Sequence, residues 1–240
     1  MYEYQNHLNV DIHDVDPNGV CRTSALLRYM QNAAQGQLNE NGMSYEQLQA
    51  RHRAFLLSRI HMEFTESPRA YQPLTAISYP CESRGYRFLR CYQLNRDNCV
   101  IGRAISVWAL MDTETRALIK TTDFDLALPL LTPLDMSLGH FRLPDVMNEA
   151  GTYTVNYADL DQNRHMNNTH YPDIYCNFLP MDGYRVAEMS IFYAHEARFG
   201  ERLRVLSARA GDSYFFRTIR PDGEINSEAE VVLAPLAEKY

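Results

Sequence analysis

Asp161, Asn163 and His165 stand two residues apart in the stretch DLDQNRHMNNTHY, residues 159–171. In an extended backbone that spacing sets the three side chains on one face, each roughly 6.5 Å from the next. An acid, an amide and an imidazole would then line one bound molecule. Imidazole moves protons well near neutral pH, and an amide N–H can hold an oxygen that gains negative charge. The same residues also serve geometry. Asp and Asn bond their own backbone in turns, and Asn167 is placed to cap a following helix. Glu196 adds a carboxylate from a different expected strand, where alternation puts His195 on the opposite face. On residue type alone Glu196 reads more readily as a surface group.

Other chemistries find less support. A metal site could draw on His165, His170 and Glu196, but His165 and His170 are five apart, an awkward spacing on a helix, so no metal is expected. No GxSxG elbow is present. Five Cys at 21, 81, 91, 99 and 176 form no ligand or redox motif and read as reduced thiols in a cytoplasm. The chain carries 23 basic and 30 acidic residues, net −7, which argues against a general nucleic-acid binder. The polar start MYEYQNHLNVDIHDVD does not read as a signal peptide, and no apolar run reaches membrane-spanning length. With 45% apolar residues, the 240-residue chain reads as globular.

The elements that must position these residues repeat. A weak strand over 4–14 leads into the turn DPNG at 16–19. Thr23 or Ser24 can cap a helix whose apolar stripe is Leu26, Leu27, Met30, Ala33, Ala34 and Leu38, with Gly42 past its end. Ser44 and Gln47 form a capping-box pattern for a shorter helix to about Arg53. Four strands follow within 54–112. Residues 121–150 hold three Pro and read as a linker crossing the surface. A second cycle then opens: strand 151–159, the polar turn, a helix over 169–179 with Pro near its start, and four more strands between 186 and 235. A helix followed by hairpin-linked strands, twice, is an antiparallel α+β pattern.

The two turns can be superposed. Asp16 falls on Asp161 and Asn18 on Asn163 at an offset of 145, while Val20 stands where the second copy has His165. Aligning Leu74 with Leu203, at an offset of 129, sets Ser67 opposite Glu196. The first half would then carry about 16 extra residues near Ser44. One copy holds a His and a Glu that the other lacks.

DLDQNRHMNNTHY followed by YAHEARFGERL resembles the catalytic half of the acyl-acyl-carrier-protein thioesterases. DPNGVCRTSALLRYMQNAA and VWALMDTETRALI resemble the first half of that family, so the likeness runs from about Tyr4 to Leu233. It implies a tandem double hotdog, each unit a long helix wrapped by an antiparallel sheet. The domains would be residues 1–125, holding the acyl-chain cavity, and 151–240, holding the catalytic groups, joined by the linker 126–150. It implies hydrolysis of fatty acyl-acyl-carrier-protein, with Asp161, Asn163, His165 and Glu196 as the catalytic set and no cofactor. Glu196 would activate water, His165 would polarise and relay, Asn163 would assist the carbonyl and Asp161 would orient its neighbours. Leu26, Met30 and Asn167 are the expected substrate contacts. Plant relatives often carry Cys after this Glu; here the position is Ala197, which excludes a thiol nucleophile there. The partner would be acyl carrier protein bearing an acyl-phosphopantetheine thioester, with Arg84, Arg87, Arg90, Arg198 and Arg202 as a candidate docking patch. An acyl-CoA thioesterase and a non-catalytic acyl binder are the alternatives. Monomer and homodimer both stay open.

Overall fold

The computed structural model describes residues 3–237. The outer limits of the expected domains, at 1 and 240, lie outside them. The first half runs β1 (Tyr4–Asn9), α1 (Thr23–Glu40), α2 (Tyr45–Ala50), β2 (Arg53–Phe64), β3 (Pro73–Arg84), β4 (Arg87–Arg96), β5 (Cys99–Asp112) and β6 (Leu118–Ile119). The second runs β7 (Asn148–Thr154), α3 (Tyr171–Cys176), β8 (Tyr184–Tyr193), β9 (Arg202–Ala210), β10 (Ser213–Ile219) and β11 (Ile225–Pro235).

Helix α1 forms where the apolar stripe requires it, and Leu26, Leu27, Met30, Ala33 and Ala34 are buried. Its N-cap is Arg22, which makes no side-chain cap bond, so Thr23 and Ser24 begin the first turn rather than cap it. Asn41 closes the helix, and Gly42, at φ 70°, takes the left-handed conformation that a helix exit favours. Both bonds of the Ser44–Gln47 capping box are present at the start of α2. The second-half helix is shorter than the pattern predicts. A 3-10 turn, Asn168–His170, leads into only six α-helical residues. Pro180 opposes further helix, and Gly183, at φ 76°, turns the chain into β8.

The strands make one continuous sheet, ordered β1-β3-β4-β5-β2-β8-β11-β10-β9-β7, with β6 paired to β5. Read outward from its centre, each half gives the same order. The halves join where β2 and β8 pair antiparallel. His61 faces Ser190 across that junction, and the pairs Ile60–Ile191 and Met62–Met189 straddle it. A pseudo-twofold axis therefore passes between His61 and Ser190.

Backbone bonds repeat on both sides of this axis. Val10 N–H donates to Gln72 O and Val155 N–H to Glu201 O. Cys21 N–H donates to Pro68 O at 2.7 Å, and Met166 N–H to Ala197 O at 2.8 Å. These pairs carry the two offsets read from the sequence and set Ser67 opposite Glu196. The length difference falls between them, in α1 and α2 against the short α3.

One buried apolar cluster spans both halves. Leu26 and Met30 from α1 share it with Met166, Ile174 and Tyr175, and with Met189 and Phe216 of the second-half sheet. The opposite sheet face is covered by the segment before β7. Leu131, Leu134, Met136 and Leu138 pack on Ile77, Tyr79, Cys81, Cys91 and Ile105. Gly139 then crosses the pseudo-axis: a Cβ there would lie 2.9 Å from both His61 and Ser190, and its carbonyl accepts from Arg59 at 2.7 Å.

Candidate active site

The polar stretch folds as a tight turn, not as an extended strand. Asp161 N–H donates to His165 O at 2.9 Å, and Arg164 sits at φ 64°. Asp161 directs its carboxylate inward, accepting the N–H groups of Asn163 at 2.8 Å and His165 at 3.4 Å. Its side chain therefore builds the turn and fixes where the amide and imidazole emerge. The turn geometry, rather than strand alternation, brings the groups together.

Glu196 comes from the segment just beyond β8. Met166 N–H donates to Ala197 O, and His165 makes an isolated antiparallel bridge with Arg198, which draws that segment alongside the turn. His165 Nε2 lies 3.1 Å from Glu196 Oε2; the imidazole is partly buried and the carboxylate half-exposed. His195 and Glu196 do not alternate as strand residues, because β8 has ended at Tyr193. The His195 ring instead contacts Ile225 O at 2.8 Å.

Asn163 receives help from the other half. Tyr45, on α2, donates its O–H to Asn163 Oδ1 at 2.9 Å, and Gln49 Nε2 donates to the Tyr45 hydroxyl at 2.6 Å. The amide oxygen is thereby used, and Nδ2 is left as the donor for a ligand, with only a 3.5 Å contact to Asp161. Asn167 spends its carbonyl oxygen on Thr169, accepting from both its N–H at 3.0 Å and its hydroxyl at 2.9 Å. It caps the 3-10 turn and also lines a cleft.

Two clefts adjoin at the turn and share Tyr45, Phe55, Asp161, Asn163 and Asn168 in their linings. The outer one, about 640 Å³, is lined by Tyr45, Asn163, His165, Tyr193, Glu196 and Arg198. The inner one, about 410 Å³, runs from Asn163 and Asn168 between α1, α2 and the first-half sheet. Leu26 and Met30 line neither cleft. They are 1% and 0% exposed and face the central core, because the first turns of α1 pack on the second half. The helix residues that do line the inner cleft are Gln31, Ala34, Gln35 and Leu38, from its later turns, with Asn32 beside them.

Asn226 is a residue that the strand pattern did not single out. It is fully buried. Its backbone carbonyl accepts the N–H groups of Ala194 at 2.9 Å and His195 at 3.1 Å. Its side chain donates to Tyr171 Oη at 2.9 Å and to the His195 carbonyl. It thus pins the segment that presents Glu196. The signal lay in INSE at 225–228, where Asn and Ser interrupt an otherwise apolar strand entry. Tyr45 carried no comparable signal, since its partner lies 118 positions away.

Among the described residues, no group of three or more His, Cys, Asp or Glu is arranged to hold a metal ion, and no helix is long and apolar enough to cross a membrane. Burial pushes the Cys21 thiol, also faced by Asp14, up to about 12, and burial does the same to Cys176. Ala197 is fully buried.

Comparison with known proteins agrees with this architecture. A crystal structure of an acyl-ACP thioesterase from Bacteroides thetaiotaomicron superposes with a TM-score of 0.85, covering 97% of this chain and 98% of that one at 19% identity. The 12:0-ACP thioesterase from Umbellularia californica gives 0.83, covering 98% of each chain at 18% identity. These likenesses establish the double-hotdog fold. The Arabidopsis thaliana chloroplastic oleoyl-acyl carrier protein thioesterase 2 is 24% identical over 192 residues, 71% of this chain. This chain spans about half of that relative's length, 52%. A family model described as the acyl-ACP thioesterase N-terminal domain matches residues 1–126, and one described as the C-terminal domain matches residues 144–232. The chain belongs to the acyl-ACP thioesterase family.

Proposed function

We propose that this protein hydrolyses the thioester of fatty acyl-acyl-carrier protein and releases the free fatty acid. The observation that carries the reading is the 3.1 Å approach of His165 Nε2 to Glu196 Oε2 beside Asn163, where the two clefts meet. The acyl chain occupies the inner cleft, and the pantetheine arm enters through the outer one.

Glu196 takes a proton from water as the water oxygen attacks the thioester carbonyl carbon. The carbonyl oxygen gains negative charge, and Asn163 Nδ2 donates to it; donors aimed at that charge are typically worth a hundredfold or more. His165 orients Glu196 and relays the proton to the sulfur as the C–S bond breaks. The products are a carboxylic acid and the carrier's thiol. Asp161 is a positioning residue, since it holds the backbone of both Asn163 and His165. A thiol nucleophile plays no part.

The carrier partner is acidic in this reading, and the outer cleft supplies the complement. Arg116, Arg164 and Arg198 line it and are exposed, and among the described residues no carboxylate lies within 4.0 Å of their guanidinium groups. Arg90 leaves the candidate docking patch, because it is 7% exposed and faces the interior. Reversing charge at Arg116, Arg164 and Arg198 raises KM for the carrier-bound substrate and spares a small artificial thioester; equal loss on both would remove the docking assignment.

The test of the activity is an acyl series on purified protein, offered on the carrier protein and on CoA, with His165→Ala and Glu196→Ala alongside. Each substitution lowers kcat by at least about 100-fold, as general acid–base groups supply 10²–10⁴. Full turnover by Glu196→Ala would remove it as the base. A faster rate on CoA would shift the substrate to the acyl-CoA alternative.

A further inference from the structure

The inner cleft has apolar walls and a charged end. Ala34, Leu38, Leu48, Phe55, Phe88 and Trp108 supply the walls. Phe55 and Phe88 meet edge-on at 5.5 Å, and Phe124 closes against both. Gln31 Nε2 donates to Asn168 Oδ1 at 2.9 Å at the turn end of the cleft, and Arg90 lines the cleft beside Gln37, six residues and so roughly 9 Å further along α1. Arg90 lies in the middle of β4, paired with Pro80 on one side and Ser106 on the other. Its side chain points toward α1: Nη1 donates to Gln37 Oε1 at 2.8 Å and to Ser78 Oγ at 2.9 Å. The groups behind it are polar too. Trp108 Nε1 donates to Ser106 Oγ at 2.7 Å, and that hydroxyl donates to Arg90 O.

Among the described residues no carboxylate lies within 4.0 Å of Arg90, so a guanidinium is buried against neutral acceptors alone. A charge in that setting keeps its ground only while its donors have acceptors. A methyl end pressed against it would strip solvent from those donors and offer nothing in return. A terminal oxygen would accept from them.

We propose that Arg90 is the specificity-determining end-stop of the acyl pocket: it sets the longest acyl chain accepted and prefers, at that length, a chain that ends in a hydroxyl over one that ends in a methyl. This rests on the hydrolase reading above. The residue acts on the distal end of the substrate and takes no part in the bond-breaking step.

The experiment measures kcat/KM along an even-numbered saturated acyl-carrier-protein series for the wild type, Arg90→Met and Arg90→Lys. The wild-type values rise with length and fall at one two-carbon step. In Arg90→Met the fall moves to longer chains, and the ratio across the wild-type break changes by about tenfold, since each buried methylene is worth about fourfold. Arg90→Lys keeps the break, because it keeps the charge. A profile for Arg90→Met that superimposes on the wild type overturns the proposal. Should Arg90→Met fail to fold, the wild type decides alone: at the break length an ω-hydroxyacyl chain is cleaved at least about fivefold better than its methyl-ended counterpart, and an equal or poorer rate overturns the assignment. Thermal shift with the matching free fatty acids reports the pocket without turnover. A wild type that shows the length break there but cleaves no thioester loses the hydrolase reading and keeps this one.

Discussion

The turns at 16–20 and 161–165 share one backbone and do different work. In each, an Asp N–H donates to the carbonyl four residues on, and the Asp carboxylate accepts N–H groups from inside the turn. The side chains diverge at four places, Pro17 against Gln162 being the one without a chemical consequence here. Val20, buried, stands for His165; Ser67 stands for Glu196; and Gly19, at φ 74°, stands for Arg164 at φ 64°. The two Asn differ in what they are bonded to. Asn18 Nδ2 donates to Met181 O at 2.7 Å, and Asn18 Oδ1 accepts from Gly183 N–H at 3.2 Å, so both ends fasten the loop before β8. Asn163 has its oxygen taken by Tyr45, while its Nδ2 keeps only the long 3.5 Å contact to Asp161. The residues that lengthen the first half are what make this difference. They form α2, which supports Asn163 from its oxygen side and leaves the cleft open, whereas the shorter second-half connection closes directly on Asn18.

The strongest way to break this contrast is to give the second turn the residues of the first. His165→Val and Glu196→Ser each reduce kcat by at least about 100-fold, while Ser67→Ala in the quiet copy changes kcat by less than about twofold, by steady-state assay of all three. Tyr45→Phe removes one hydrogen bond to the Asn163 oxygen. It lowers kcat about tenfold with KM unchanged, the size of one oriented hydrogen bond; a change in KM alone would make Tyr45 a substrate contact instead. Asn18→Ala shows the opposite signature: kcat stays within about twofold, and urea unfolding records a loss of about 1–2 kcal/mol from the severed loop contacts. Arg164→Gly relieves a left-handed conformation that costs a non-glycine residue about 1 kcal/mol. The melting temperature rises accordingly, and KM for the carrier-bound substrate rises with it. Smallest is the response to alkylation. Cys99, the exposed thiol, reacts first, and hydrolysis stays within about twofold if, as proposed, water and not a thiol attacks the thioester.

Much of this arrangement could be read from residue order. Alternation marks the long strands, the capping box marks α2, and two sequence offsets align Ser67 with Glu196. Those signals are local, or depend on one half resembling the other. Leu26 and Met30 belong to a correctly read apolar stripe, yet periodicity cannot say which turns of a helix face a cleft and which face the opposing half. Arg90 looked like one of several strand arginines. Its burial depends on Gln37 arriving from α1, 53 positions away. The second-half helix came out short because the 3-10 turn and Pro180 bracket it. The spacing of Asp161, Asn163 and His165 suggested a strand face, and the turn won because one carboxylate can accept two backbone N–H groups at once.

The pairing of β2 with β8 has a consequence for the chain as a physical object. Each of these strands is the other's neighbour, and the apolar interior runs through from one half to the other. Cut the covalent connection, for instance by a protease in the exposed stretch around Arg142 and Val146, and the two fragments would still hold one another by that ladder and that interior. The nicked molecule should elute as an intact particle and melt in a single transition. In this molecule the peptide tether chooses the partner; the sheet does the holding.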